Sequence, residues 1–228
     1  MSDQGPPIRD AATIIAIRRQ PGPPAVLMGM RGAMAAFMPS KYVFPGGAVD
    51  PGDADLHLAR PLASSDQARL LAEPRDGVTP DPAALAAAAL RELAEETGLL
   101  IGRSGAGCPL PGYAEAQLIP DAGSLIYLFR AITPPARPRR FDARFFLIDA
   151  AEIHGDPEDF SRACDELSHL HWVPLPEARA LDLPFITEVV LAELAELLVE
   201  VGDGPLRAPD TVPFFDNRTR TPRFSQIA

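Results

Sequence analysis

The 228-residue chain is poor in cysteine, tryptophan and positive charge, with two Cys, one Trp, and 21 Lys and Arg against 31 Asp and Glu. Cys108 and Cys164 stand far apart and show no Cys-x-x-Cys spacing. They therefore argue against a cysteine-built metal centre or a disulfide framework, and read as buried or incidental thiols. The net charge of −10 argues against a general nucleic-acid-binding surface, so an anionic substrate would need local help from a cation or from arginines. No apolar run approaches the roughly twenty residues of a membrane span. The start, Met1-Ser2-Asp3-Gln4-Gly5, carries no signal-peptide pattern, and the expectation is a cytoplasmic enzyme without membrane or nucleic-acid partners. What is abundant is apolar surface, 46% of residues, enough for one sizeable core. Pro (26) and Gly (17) are also frequent, mostly in segments that read as turns between strands.

The densest chemistry lies at Arg91-Glu92-Leu93-Ala94-Glu95-Glu96-Thr97-Gly98-Leu99. Asp81 is a candidate N-cap and Pro82 a first helical residue. Leu85, Ala86, Ala89, Leu90 and Leu93 recur as a buried helical stripe, and Gly98 supplies a left-handed stop. On that helix Glu92, Glu95 and Glu96 are expected to share one face away from the core, where like charges repel and the macrodipole opposes them. A hard divalent cation, Mg²⁺ or Mn²⁺, would offset that repulsion and keep open positions for water and phosphate. A second acidic helix serves as a control. Glu193, Glu196 and Glu200 also line a helical face, but lack the preceding arginine, the paired glutamates and the closing glycine. They read as an ordinary hydrated face, with Ile186, Val189, Val190, Leu194 and Leu197 buried opposite.

The string Arg91 to Leu99 resembles the second half of the Nudix box at every specified position. The first half resembles Phe44-Pro45-Gly46-Gly47-Ala48-Val49-Asp50-Pro51-Gly52-Asp53, with Asp53 where the family has glutamate. The contiguous pattern would place its arginine at position 61, so Arg91 stands thirty residues late and the box is split by an insertion at 54–80. The resemblance implies an α/β fold, the Nudix α/β/α sandwich with a mixed β-sheet. It also implies hydrolysis of the diphosphate in a nucleoside diphosphate linked to X. The start Gly-Gly-Ala-Val-Asp-Pro-Gly-Asp resembles the branch with coenzyme A diphosphatase-like members, which points to coenzyme A or acyl-CoA. A nucleotide sugar, a dinucleotide, a damaged nucleotide, or a non-catalytic nucleotide-binding regulator stand as alternatives.

Carried over residue by residue, the resemblance implies Glu92, Glu95 and Glu96 as metal ligands, with Glu92 or Glu96 doubling as the base. It implies the Gly46 carbonyl as a backbone ligand, Arg91 as the brace of a catalytic glutamate, and Asp53 as a supporting carboxylate. Glu166 resembles a further glutamate that can join the metal; a solvent-facing strand-end glutamate is the plainer reading. Arg31, Arg140 and Arg144 are candidate phosphate clamps, since guanidinium groups grip phosphate bidentately, and a solvated hairpin or dimer contact is the alternative for the last two. His169 and His171 read as structural or exposed, and Trp172 as core. A homodimer is expected by extrapolation from relatives.

Strands are expected at 11–18, 25–31, 42–45, 116–120, 124–132, 141–149 and 167–175, a short helix within 64–73, and a helix at 184–200. The division reads as an N-terminal arm at 1–10, a Nudix domain at 11–202 and a C-terminal arm at 203–228 without clear periodicity.

Overall fold

The computed structural model describes residues 6–20, 22–35 and 38–228. In chain order the strands are β1 (Ile8–Arg18), β2 (Ala25–Arg31), β3 (Tyr42–Val43), β4 (Gly46–Ala48), β5 (Gly102–Ser104), β6 (Leu118–Pro120), β7 (Ile126–Ile132), β8 (Arg140–Asp149), β9 (Leu167–Pro174), β10 (Val212–Asp216) and β11 (Arg223–Ile227). The helices are α1 (Ser64–Leu71), α2 (Pro82–Thr97), α3 (Tyr113–Ala116), α4 (Leu175–Ala178) and α5 (Phe185–Val201). Nine strands form one mixed sheet in the order β11-β10-β7-β8-β1-β2-β3, with β4 paired to β1 and β9 to β2. No helix of the described residues is long and apolar enough to cross a membrane.

Strand β1 organises the layers. A strand covered on both faces reads as a continuous apolar run, and Ala-Ala-Thr-Ile-Ile-Ala-Ile does so. Ala12, Ile14 and Ala16 pack with α2 on one face, while Ile15 and Ile17 pack with Val190, Leu191, Leu194 and Leu197 of α5 on the other. The result is the expected α/β/α sandwich, with a core on each side of the sheet. Helix α2 keeps the boundaries expected of it: the Asp81 carboxylate accepts from the Ala83 and Ala84 N–H groups at 2.9 and 3.3 Å, and Gly98 closes the helix at φ 76°. Asp81→Ala should therefore cost about 1 kcal/mol in urea unfolding, with little change in the m-value.

Both terminal readings need correction. Ile8, Arg9 and Asp10, assigned above to an arm, are the start of β1 and pair in parallel with Arg140, Phe141 and Asp142 of β8. The segment from 203, read as an arm without periodicity, supplies β10 and β11, and β10 joins β7 in parallel at Phe214↔Arg130. Its Phe214 is fully buried under the Arg130 guanidinium, 4.2 Å from the ring centre. β10 and β11 form an antiparallel hairpin, but the loop at 217–222 that joins them has no glycine to signal a tight turn, and the other partner, β7, lies some eighty residues upstream. The expected strand at 116–120 is also shorter, because α3 and a left-handed Gln117 precede β6.

The 54–80 insertion contains α1 at the position expected for a short helix, and it covers the α2 side of the sheet. Leu62 and Leu70 enter the core there. The loop beyond α1 sends the Ala72 and Glu73 carbonyls to Arg130 and the Arg75 side chain to Asp142.

Candidate active site

The two halves of the split box meet where β4 crosses the end of α2. Gly46 and Gly47 are needed there for close approach rather than for a turn alone. A Cβ at Gly46 would stand 2.6 Å from the Ala12 carbonyl oxygen, and one at Gly47 would stand 2.2 Å from Glu92 Oε1. The Gly46 N–H donates to Glu96 Oε2 at 2.7 Å. Glu96 is 1% exposed, which corrects the expectation that all three glutamates face away from the core; Glu95 alone is exposed. Helix α2 lies against β4 and β1, so its Glu96 position points under the glycine pair, while Glu95, about 100° round the helix, points outward.

Burial pushes the Glu96 carboxyl up to about 8; the Gly46 N–H opposes this, and the neighbouring Glu92 charge adds to it. Glu92 is also raised, by burial first, with the Arg91 charge and hydrogen bond acting against it. Raised carboxyls in a shared site are a signature of functional placement, here joined to geometry.

Arg91 ties the site together. Its Nε and Nη2 donate to Asp53 at 2.8 and 3.1 Å, its Nη1 to Glu92 Oε1 at 2.9 Å and Glu95 Oε2 at 3.0 Å, and Nη2 to the Ala48 carbonyl at 3.1 Å. Asp53, buried at the short 3₁₀ turn of Pro51–Asp55, also accepts from the Asp50 N–H. The shorter side chain thus still reaches the arginine across the insertion. Of the three carboxylates on this guanidinium, Asp53 takes two of its N–H groups and fixes the fork, which in turn orients Glu92.

Arg31 and Glu166 arrive from β2 and from the residue before β9. Arg31 Nη1 lies 3.2 Å from Glu166 and Nη2 3.9 Å from Glu96 Oε1. The chain before Glu166 is tied to the helix end by the Cys164 N–H, which donates to the Glu95 carbonyl at 3.0 Å. That backbone tie has no signature in the sequence. Arg140 and Arg144 are not brought to this cluster. Arg140 is spent on the carbonyls of Thr133, Asn217 and Arg218, and Arg144 on Asp10 and Asp142, both in the sheet beneath the insertion. Both guanidiniums are themselves buried and already tied to partners within the sheet, so the clamp reading is corrected for both.

Among the described residues no three His, Cys, Asp or Glu side chains stand together as a ready metal cage. Arg91 holds Glu92 and Glu95, and Gly46 holds one oxygen of Glu96. The other, Glu96 Oε1, is buried without a hydrogen-bond partner. An orphaned buried carboxylate oxygen beside two further carboxylates is a hard, anionic donor set, and it fits a divalent cation that keeps much of its own water.

No family model matches the chain. A Caenorhabditis elegans protein named "Putative nudix hydrolase 7" is 31% identical over 164 residues, which cover 65% of this chain and 46% of that protein. The chain thus spans about half the length of that curated relative. The crystal structure of a Nudix hydrolase from Alicyclobacillus acidocaldarius matches 88% of this chain and 98% of its own, at 31% identity and a TM-score of 0.59. A Caenorhabditis elegans Ap4A hydrolase binary complex shares the fold at 16% identity and a TM-score of 0.50, over 85% of this chain and 99% of its own. With the split box reassembled around Arg91 and nearly the whole of a 31%-identical solved relative covered, the chain belongs to the Nudix hydrolase family.

Proposed function

We propose that the chain is a metal-dependent diphosphatase that cleaves a nucleoside diphosphate linked to X, with coenzyme A or an acyl-CoA as the favoured X-bearing substrate. The observation that carries the hydrolytic reading is the buried Glu96 Oε1, without a hydrogen-bond partner, beside Glu92, with Glu92 held by an Asp53-braced Arg91. The substrate preference rests on the Gly46–Asp53 string alone.

In this reading Glu92, Glu95 and Glu96, with the Gly46 carbonyl and Glu166, would hold Mg²⁺ or Mn²⁺. When bound, such a cation supplies charge neutralisation and Lewis acidity at the phosphoryl oxygens. The chain's own groups do the rest. Glu92 or Glu96, deprotonated, takes the proton of the water that adds to phosphorus, while the bridging oxygen leaves with the second phosphate. Arg91 keeps Glu92 in the orientation that this transfer needs. Arg31, at the rim of the carboxylate cluster, would grip a phosphate oxygen. A cytoplasmic homodimer completes the proposal, and sedimentation at two concentrations checks the assembly.

Turnover of a panel of coenzyme A, acyl-CoA, nucleotide sugars, dinucleotides and oxidised nucleoside triphosphates, with Mg²⁺ or Mn²⁺ and then with EDTA, tests it. The expected result is metal-dependent release of two phosphomonoesters from coenzyme A or its esters. Preference for another member of the panel replaces the substrate. A wild type that binds nucleotide but turns over none of them supports the regulatory alternative instead.

A further inference from the structure

Strand β9 is not a regular partner of β2. Met28 pairs with His171, but Met30 pairs with Ser168 and Arg31 with Leu167, so His169 and Leu170 together oppose the single residue Gly29. This is a β-bulge, and its extra residue is His169, held at φ 51°. Among L side chains asparagine, aspartate and histidine adopt that conformation most readily and β-branched ones least, and backbone of this kind gathers at functional sites.

The surroundings are built to keep the bulge. A Cβ on Gly29 would stand 2.9 Å from Leu167 Cβ and 2.9 Å from Leu170 Cδ2, so the opposing position admits no side chain. The backbone carbonyls that the irregular ladder leaves over are met by side chains: the His169 carbonyl lies 2.7 Å from His171 Nδ1, and the Met30 carbonyl accepts from Ser168 Oγ at 3.1 Å. His171 is steadied in turn by an edge-on contact with Tyr42.

We infer that His169 is a positioning residue: the left-handed bulge that it makes sets the β2–β9 register that holds Glu166 against Arg31 at the rim of the carboxylate cluster. The register spacing at Met28↔His171, continued without a bulge, would put Ser168 opposite Arg31. With it, Leu167 stands there and the preceding residue, Glu166, reaches Arg31 at 3.2 Å, while the same guanidinium lies 3.9 Å from Glu96 Oε1. A one-residue slip also reverses the face on which each side chain emerges, so the bulge decides whether Glu166 and Arg31 meet. The catalytic consequence rests on the proposed diphosphatase reading; the register claim does not.

The test compares His169→Gly, His169→Asn and His169→Val, with Glu166→Gln alone and combined with His169→Val. Kinetics are measured on the substrate that the wild type turns over best, below each variant's melting temperature, and crystal structures are determined for the Gly and Val variants. Gly and Asn tolerate positive φ and should stay within about threefold of wild-type kcat/KM. Val should lose about 10²-fold, the scale of an ångström-sized misplacement. The double variant should be no worse than the poorer single, because both changes remove one alignment. Wild-type kinetics in His169→Val, equal losses in the Gly and Val variants, or multiplying losses in the double variant would each overturn the inference. If the wild type turns over no diphosphate, the proposed function falls and the crystal structures decide the register claim by themselves. An unchanged Arg31–Glu166 contact in His169→Val refutes it, and a shifted ladder upholds it.

Discussion

Asp142→Ala is expected to lower the unfolding free energy by about 3–5 kcal/mol, the range seen when one partner of a buried ion cluster is removed. Asp142 is fully buried on β8 and binds three arginines. Its Oδ1 accepts from Arg130 Nε at 2.8 Å; its Oδ2 accepts from Arg130 Nη2 at 2.8 Å and Arg75 Nε at 2.9 Å, and lies 3.2 Å from Arg144 Nη2. Arg130 and Arg144 are each 1% exposed, so the variant leaves their charges with no water to replace the carboxylate. Burial alone would push the Asp142 carboxyl up, but the Arg130 hydrogen bonds and the charges of Arg144, Arg130 and Arg75 more than offset it, holding it below the usual range. A depressed carboxyl contributes stability that is present above its unfolded pKa and is lost as pH falls through the lower folded value. Wild type should therefore weaken in acid, and Asp142→Asn should weaken less steeply because it lacks that titration. Urea unfolding of the three proteins between about pH 3 and pH 7 checks this; a loss below about 1 kcal/mol for Asp142→Ala would mean that the arginines escape to solvent.

That cluster also marks where the sequence stops being informative. Helix α2 is legible because its signals are local: a cap at Asp81, a proline at the first turn, an apolar stripe and Gly98 act within a few residues of each other. Strand β2 and helix α5 are legible for the same reason, within a residue of their ends. The carboxylate site is legible through its punctuation, since arginine, paired glutamates and glycine at fixed spacing do not arise from an ordinary hydrated face. What is lost is the consequence of distant pairing. The arginines at 140 and 144 read as candidate phosphate clamps because nothing in a linear string says that Asp10, Asp142 and the carbonyls of Asn217 and Arg218 come to meet them. The arm from 203 looks irregular because β10 and β11 are joined by a glycine-free loop and β10 docks in parallel on β7, a pairing that carries no turn to announce it. Glu96 looks exposed because helical spacing gives a face, whereas its burial comes from β4 folding over that face across the 54–80 insertion.

Glu96→Gln is expected to reduce metal-dependent turnover by about 10³-fold, the order of effect seen when one electrostatic element of a preorganised site is removed. The substitution keeps size and shape, so the Gly46 N–H can still find an oxygen, but it removes the charge that a cation would meet. The same variant should alter stability in the opposite direction, which separates a functional carboxylate from a structural one. In the metal-free protein, burial first and then the Glu92 charge raise the folded carboxyl to about 8, above its ordinary value of 4.5. A raised carboxyl contributes stability that is fully present below the unfolded pKa and is lost as pH rises through the folded one. The metal-free wild type should thus lose stability between about pH 4.5 and pH 8, by as much as roughly a few kcal/mol, and Glu96→Gln should flatten that slope. Mg²⁺ or Mn²⁺ should restore the wild type most at the alkaline end, since its ligands must be deprotonated, and should do little for the variant. Melting curves with EDTA and with metal across this range, set beside the turnover assay, give both readouts. A variant as active as wild type would remove Glu96 from the chemistry, and a wild type indifferent to pH and metal would remove the cation from the site.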